Sequence, residues 1–371
     1  MTTFTDIELL STLQDTLREM NFKAPTPIQA QVMPLLLKGR SVAGMSQTGS
    51  GKTLAYALPV LHQVKSLELA GKAVQDPSRP RAIVMVPTRE LGEQVTRVFK
   101  PFTHHTRVRV RSALGGTTFE ISRRNISGCF EVLVATPGRL AKLVEKQLLK
   151  LDDVRVLVFD EADQMMDPGF LQDSQRIVEA CPPTTQMALF SATISKTVQK
   201  LLDDMFLGVE LIRAAKHDRI VETLKTDNRK VVNGKRLPLL DVVLAEKVNG
   251  GTLFFTNTRE QCDTLAKELE KRGLTCVVYR GEMDKIKRRQ NLKAFRDGTV
   301  AYLISTDLAS RGLDIDHVGR VGNYHLPQNL DNYLHRVGRT ARAGRTGRVI
   351  NFVTERDQGL LEKVSELDSK R

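Results

Sequence analysis

Cysteine, long apolar runs and low-complexity tracts are what this 371-residue chain has least of. Its four cysteines, Cys129, Cys181, Cys262 and Cys276, are scattered and form no C-x-x-C pair. That spacing argues against a zinc site or a disulfide framework and for free thiols in a reducing compartment. His104-His105 has no partner at ligand spacing and reads as a surface pair. No apolar run approaches the ~18 residues of a membrane span. The start, Met1-Thr-Thr-Phe4-Thr-Asp6, lacks the basic stretch and apolar core of a signal peptide, so a cytoplasmic location is expected. No amphipathic coiled-coil segment stands out, and a monomer is the expectation.

Hydrophobic residues make up 41% of the chain, enough to fill more than one interior. The length suits two domains of ~150–200 residues. Net charge is +13, and the half from residue 211 onward carries most of it. A polyanionic partner follows, nucleic acid rather than membrane, because no basic amphipathic anchor is present.

Short apolar runs recur at 82–86, 132–135, 154–159 and 187–191, and again at 252–256, 276–279, 300–305 and 348–353. A weaker one lies at 42–45. Such runs lack alternation, as in parallel strands covered on both faces. Helical stretches separate them, which predicts two α/β domains, each a mostly parallel sheet flanked by helices. The expected division is 1–212, a linker at 213–222, and 223–371. The segment 66–81, with Gly71, Pro77 and Pro80, reads as a surface loop.

Two strings carry chemistry. Ser46-Gln47-Thr48-Gly49-Ser50-Gly51-Lys52-Thr53 follows the weak strand and opens a helical pattern, the context a phosphate-binding loop needs. Its glycines let the backbone curl round phosphate. Lys52 is placed to reach the β- and γ-phosphates, and the Thr53 hydroxyl to bind Mg²⁺. Asp160-Glu161-Ala162-Asp163 ends an apolar strand, where open α/β sheets face their ligands. Asp160 suits the metal, and Glu161 suits orienting and deprotonating a water. Together they describe hydrolysis of a nucleoside triphosphate.

Further strings accompany them: Asn21-Phe-Lys-Ala-Pro-Thr-Pro-Ile-Gln29, Pro87-Thr-Arg-Glu-Leu91, Gly115-Gly116, Thr136-Pro-Gly-Arg139 and Ser191-Ala-Thr193. The second half adds Phe254-Phe-Thr-Asn-Thr-Arg259, Ser305-Thr-Asp-Leu-Ala-Ser-Arg-Gly-Leu-Asp314 and His335-Arg-Val-Gly-Arg-Thr-Ala-Arg342. In this order they resemble the DEAD-box ATP-dependent RNA helicases, small bacterial members in particular, over nearly the whole chain.

The resemblance implies tandem RecA-like domains with ATP and Mg²⁺ as cofactors and RNA as partner. Gln29 then reads adenine, whose N6 and N7 match a side-chain amide. Phe4 is either a base neighbour or a plain core residue. Arg339 and Arg342 resemble arginine fingers for the γ-phosphate, and Asp314 a ribose contact. His335 either couples nucleotide to nucleic acid or is a buried, hydrogen-bonded imidazole. Ser191 and Thr193, with Asp163, either link hydrolysis to strand separation or simply end a strand. RNA contacts are implied at Thr88, Arg89, Gly116, Thr136 and Arg139, and at Arg259, Gly281 and Thr306, directed at the backbone rather than the bases.

The sequence departs from that pattern at Ser46, Asn21, Gly92 and Ala341. It departs more heavily in Arg280-Gly-Glu-Met-Asp-Lys-Ile-Lys-Arg288, where Lys285 replaces a usual glutamine. The contacts that segment makes in domain closure are therefore in doubt. The leading expectation is an RNA-stimulated ATPase that unwinds short duplexes or remodels RNA–protein complexes. An ATP-gated RNA clamp with little unwinding is the alternative, and a DNA-directed motor of the same superfamily is a third.

Overall fold

The computed structural model describes residues 3–46, 49–165, 168–191, 208–213, 224–307, 315, 317–340 and 346–369. Gln47, Thr48, Thr193, Asp314 and Arg342, and nearly all of 213–222, lie outside them. The chain divides into two compact units, residues 1–217 and 218–371.

In the first unit the strands are β1 (Val42–Met45), β2 (Ala82–Met85), β3 (Val110–Ala113), β4 (Val132–Ala135), β5 (Val156–Asp160), β6 (Gln186–Ser191) and β7 (Glu210–Arg213). The helices are α1 (Ser11–Glu19), α2 (Pro27–Leu37), α3 (Lys52–Leu69), α4 (Arg89–Thr106), α5 (Phe119–Asn125), α6 (Pro137–Glu145), α7 (Ala162–Met165) and α8 (Pro168–Ala180). The strands form one sheet in the order β3-β4-β2-β5-β6-β1-β7, parallel throughout. Side chains alternate between two cores. In β2, Ala82 and Val84 enter the core beneath α2, α3 and α4, while Ile83 and Met85 enter the one on the other face. Burial on both sides is why the run is apolar without a break.

The second unit contains β8 (Leu224–Lys230), β9 (Gly251–Thr256), β10 (Cys276–Tyr279), β11 (Tyr302–Thr306), β12 (Val318–Asn323) and β13 (Gly347–Val353). Its helices are α9 (Leu237–Ala245), α10 (Arg259–Lys271), α11 (Lys285–Arg296), α12 (Leu330–Val337) and α13 (Gln358–Ser369). The sheet order is β10-β11-β9-β12-β13-β8, again all parallel. Leu253 and Phe255 point into one core and Phe254 into the other. Both units are therefore α/β with parallel sheets. Among the described residues no helix is long and apolar enough to cross a membrane.

Four strands escape the hydrophobic pattern. β3, β7 and β8 are sheet edges, half exposed, so Val-Arg-Ser-Ala, Glu-Leu-Ile-Arg and Leu-Lys-Thr-Asp-Asn-Arg-Lys suffice there. β12 is interior but reads Val-Gly-Arg-Val-Gly-Asn. A Cβ on Gly322 would lie 2.5 Å from the Phe254 ring, so the neighbouring strand's aromatic takes the space a side chain would fill. The expected loop at 66–81 starts too early. α3 runs on to Leu69, with Lys65 and Glu68 paired at 2.6 Å along its last turn.

His325, just after β12, is pushed down to about 4, chiefly by burial and then by the Arg236 and Arg336 cations, with Asp357 opposing. The ordinary value is 6.5. Between those two limits the unfolded chain takes up a proton that the folded one refuses, so stability falls as pH drops through this window. Urea titrations of the full chain at pH 7 and pH 5 should show the second unit weakened at pH 5. His325→Gln should remove most of that difference. An unchanged difference would place the acid sensitivity elsewhere.

Candidate nucleotide and RNA sites

Parallel register brings the ends of β1, β6 and β5 side by side. Met45 lies opposite Ser191, and Phe190 opposite Asp160. The Ser46 N–H donates to the Ser191 carbonyl at 3.2 Å, closing the edge from which the phosphate-loop string emerges. Gly49 and Gly51 have φ of +84° and +90°, which L side chains adopt only at a cost. Gly51 caps α3, so the helix N-terminus begins at Lys52. Lys52 is buried, and its Nζ donates to the Ser46 carbonyl at 2.5 Å. The Ser46 and Ser50 hydroxyls meet at 2.7 Å. The described part of the loop thus sets a buried cation beside the helix N-terminus, where a phosphate would be held.

Gln29, on α2, is wired to this loop. Its Oε1 accepts from the Thr26 N–H at 2.9 Å, and its Nε2 donates to the Gly51 carbonyl at 3.0 Å. One amide hydrogen and one lone pair remain for an adenine edge. Phe4 is a core residue, set edge-on to Phe22 with ring centroids 6.4 Å apart. Both rings line a cavity of about 370 Å³ with Gln14, Arg18 and Lys23, and Phe22 is the more exposed of the two.

Asp160 closes β5 and is 2% exposed. Its Oδ1 accepts from the Glu161 N–H at 3.0 Å and its Oδ2 from the Tyr56 hydroxyl at 2.8 Å. Burial, and then the Glu161 charge, raise its pKa to about 6, against the pull of Lys52 and Tyr56. Tyr56, fully buried one turn beyond Lys52 on α3, is itself driven well above 10 by burial and by Asp160. The Asp160 carboxylate and the Thr53 hydroxyl both interact with the Tyr56 hydroxyl, and together they offer hard-oxygen donors suited to Mg²⁺. Among the described residues no group of three or more His, Cys, Asp or Glu is placed to hold a metal ion.

Glu161 is buried at φ +55°, an uncommon conformation for a non-glycine residue. Gln164 on α7 donates from Nε2 to Glu161 Oε2. Asp163 starts the same helix, and its Oδ1 accepts from the Gln164 N–H at 3.1 Å. Ser191 is completely buried at the end of β6. Tyr56 and Gln164 are absent from the sequence expectations. The only signals the sequence offers for them are the i, i+4 spacing from Lys52 and the i, i+3 spacing from Glu161, and neither names a partner.

The other half of the same sheet edge, β3-β4-β2, carries the five first-unit residues expected to contact RNA. The Thr88 hydroxyl caps α4 by accepting from the Leu91 N–H at 3.3 Å. Arg89 pairs with Glu93 at 2.8 Å and reaches the Gly116 carbonyl at 3.4 Å. Thr136 Oγ1 accepts from the Gly115 N–H at 2.9 Å. Arg139 donates to the Thr117 and Thr118 carbonyls at 2.6 and 3.2 Å and lies over the Phe119 ring. These residues form one hydrogen-bonded patch.

In the second unit Arg259, Gly281 and Thr306 follow or end β9, β10 and β11, again three neighbouring strands. Arg259 is ion-paired to Glu282. His335 and Arg339 are both buried at the end of α12, and Arg339 Nε donates to the His335 carbonyl at 3.1 Å. Between them in the same string lies Arg336, which the sequence reading left without a role. It is 1% exposed and forks onto Asp307 while also reaching Asn257, Asn323 and the His325 carbonyl.

Two departures from the resembled pattern have local causes. Asn21 sits at φ +58°, which asparagine tolerates where glycine is usual. Gly92 faces Leu114, whose Cδ2 would be 2.3 Å from an added Cβ, so leucine occupies the volume an alanine would need.

Residues 26–201 match the DEAD/DEAH box helicase family, and residues 234–344 match the helicase conserved C-terminal domain. The chain is 33% identical to the ATP-dependent RNA helicase CshA of Listeria monocytogenes over 371 residues, 100% of this chain and 70% of CshA. It is 33% identical to the RNA helicase CrhR of Synechocystis over 364 residues, 98% of this chain and 72% of CrhR. Among solved structures, S. cerevisiae Dbp5 bound to RNA and ADP BeF3 aligns with a TM-score of 0.85 at 27% identity, covering 99% of this chain and 93% of Dbp5.

Proposed function

The chain belongs to the DEAD-box ATP-dependent RNA helicases, and we propose that it separates short RNA duplexes locally, without processive translocation, or remodels RNA–protein complexes. The observation that carries this reading is one sheet edge holding two neighbouring groups. β1, β6 and β5 present the nucleotide residues, and β2, β4 and β3 the backbone-binding patch.

In this reading Lys52 and the loop amides take the β- and γ-phosphates, and Gln29 selects adenine. Thr53 and Asp160 would hold Mg²⁺, which would supply positive charge against the phosphate oxygens. Glu161, steadied by Gln164, draws the proton from the attacking water. Arg339, with Arg342, contributes the cation that stabilises the separating phosphoryl oxygens. Thr88, Arg89, Gly116, Thr136 and Arg139, joined by Arg259, Gly281 and Thr306, hold a single strand by its phosphates and 2′-hydroxyls. Asp163, Ser191 and Thr193 link hydrolysis to strand separation in this reading, and His335 couples nucleotide to nucleic acid. The protein acts as a monomer.

The test compares ATPase stimulation by single-stranded RNA and DNA of equal length, together with strand displacement and RNA residence time. RNA should stimulate strongly and DNA weakly, with displacement of short duplexes only. Arg139→Ala should weaken RNA stimulation roughly tenfold in apparent affinity while leaving unstimulated turnover unchanged. Equal stimulation by DNA would overturn the substrate, and long residence without displacement would favour the clamp.

A further inference from the structure

We propose that the outer flank of α11 is an additional RNA-backbone contact surface that continues the strand-end track beyond Gly281. The inference rests on the RNA reading above for the identity of the polyanion. α11 contains six basic residues in twelve, Lys285, Lys287, Arg288, Arg289, Lys293 and Arg296, and no acidic one. Its neighbour in sequence, α10, has the ordinary mixture of four acids and three bases. There the charges are matched, with Lys271 and Arg272 on Glu268, and Asp263 on Arg280.

The geometry fixes which charges face out. Leu292 and Phe295 are buried in the core, so the opposite side of α11 is solvent-facing. Arg289 and Lys293 are exposed and stand one turn apart on one flank, with Arg296 following on the same flank. Lys293 makes only a loose 3.7 Å approach to Asp297. Like charges at i, i+4 repel and weaken a helix, and Arg289 and Lys293 stand in that relation. A chain of phosphates favours such a pair, because it neutralises successive turns at once.

The helix also starts in the right place. It begins four residues after Gly281, and Asp284 fixes that start by accepting from the Ile286 and Lys287 N–H groups at 2.9 and 3.0 Å. From there the flank runs about 10 Å along the helix between Arg289 and Arg296. A strand held by Gly281 and Thr306 would meet these side chains as it leaves the track. An acidic protein segment is the competing occupant, and it has no reason to begin at the RNA-binding strand ends.

The experiment uses the full chain with a non-hydrolysable ATP analogue and two single-stranded RNAs, one just long enough to fill the track and one about twice as long. Binding is titrated against salt for the native chain and for Arg289→Ala/Lys293→Ala. The native chain should show a steeper salt dependence on the longer RNA. The variant should lose that increment, with the slope of log affinity against log salt reduced by about 1.4 and affinity for the longer RNA reduced roughly tenfold. Affinity for the short RNA, melting temperature and RNA-free ATPase should not move. Unchanged slope and affinity on the longer RNA, or equal loss on both lengths, would overturn the proposal. Arg139→Ala serves as the separate check on the RNA reading. It should weaken both lengths alike, and failure there would leave the α11 comparison readable by itself.

Discussion

Glu161→Gln is expected to bind ATP normally and to hydrolyse it about a thousandfold more slowly, whereas Lys52→Ala is expected to lose ATP affinity by about a hundredfold or more. The two substitutions separate binding from chemistry within one sheet edge. Glutamine keeps the size of Glu161 and can still occupy its backbone conformation at φ +55°. It can also still face Gln164, and its N–H still donates to Asp160. What it lacks is a carboxylate to receive a proton, and a general base is worth ~10²–10⁴ in rate. Lys52 carries a buried positive charge in the middle of the loop. Without it the γ-phosphate loses its direct cation, and a charge-assisted contact of this kind is worth ~3 kcal/mol, a hundredfold or more in affinity. Equilibrium binding of a fluorescent ATP analogue and single-turnover hydrolysis, read on the same preparations, distinguish the two. Native turnover in Glu161→Gln would remove that residue from the chemistry.

The strings that carry chemistry could be read from the sequence because they coincide with places where the fold has little freedom. Gly49 and Gly51 take positive φ, and Asp160 is the last residue of a buried strand. Thr88 and Thr136 precede helices. Each is a local requirement, and local requirements leave a local signature. The interior strands were legible for the same reason, since burial on both faces demands an unbroken apolar run. β3, β7 and β8 were not, because an edge strand needs an apolar side chain on only part of its surface. β12 hid behind two glycines and a buried arginine, whose fitness depends on Phe254 and on the carbonyl of Val243, far away in the chain. Tyr56 and Gln164 went unread for a related reason. Their partners, Asp160 and Glu161, are brought to them by the sheet or by a helix that starts mid-string.

Arg336 is the sharpest case of a role that only the assembled structure assigns, and its removal carries the largest expected cost in stability. Its guanidinium is 1% exposed, forks onto Asp307, and donates to Asn257 at 2.8 Å, to Asn323 at 3.2 Å and to the His325 carbonyl at 2.5 Å. It also lies over the Phe255 ring, 5.1 Å from the centroid. Asn257 follows β9, Asp307 follows β11, and Asn323 ends β12, so one side chain ties three adjacent strand ends to α12. The strand ends it gathers include those that carry Arg259 and Thr306. Arg336→Met would keep much of the volume but leave the half-buried Asp307 carboxylate and the buried Asn323 without their fork, and breaking a pair of this kind costs up to ~3–5 kcal/mol. Denaturant unfolding of the full chain should show the second unit's transition moving to much lower denaturant. Nucleotide binding at Lys52 should persist. Arg336→Lys should not rescue, since a single ammonium cannot satisfy five acceptors arranged for a planar fork. Arg336→Met/Asp307→Leu should recover part of the loss, because it also removes the carboxylate that had lost its fork. A variant at position 336 that melts like the native chain yet fails to hydrolyse ATP would reverse the assignment and move Arg336 from the framework into the chemistry.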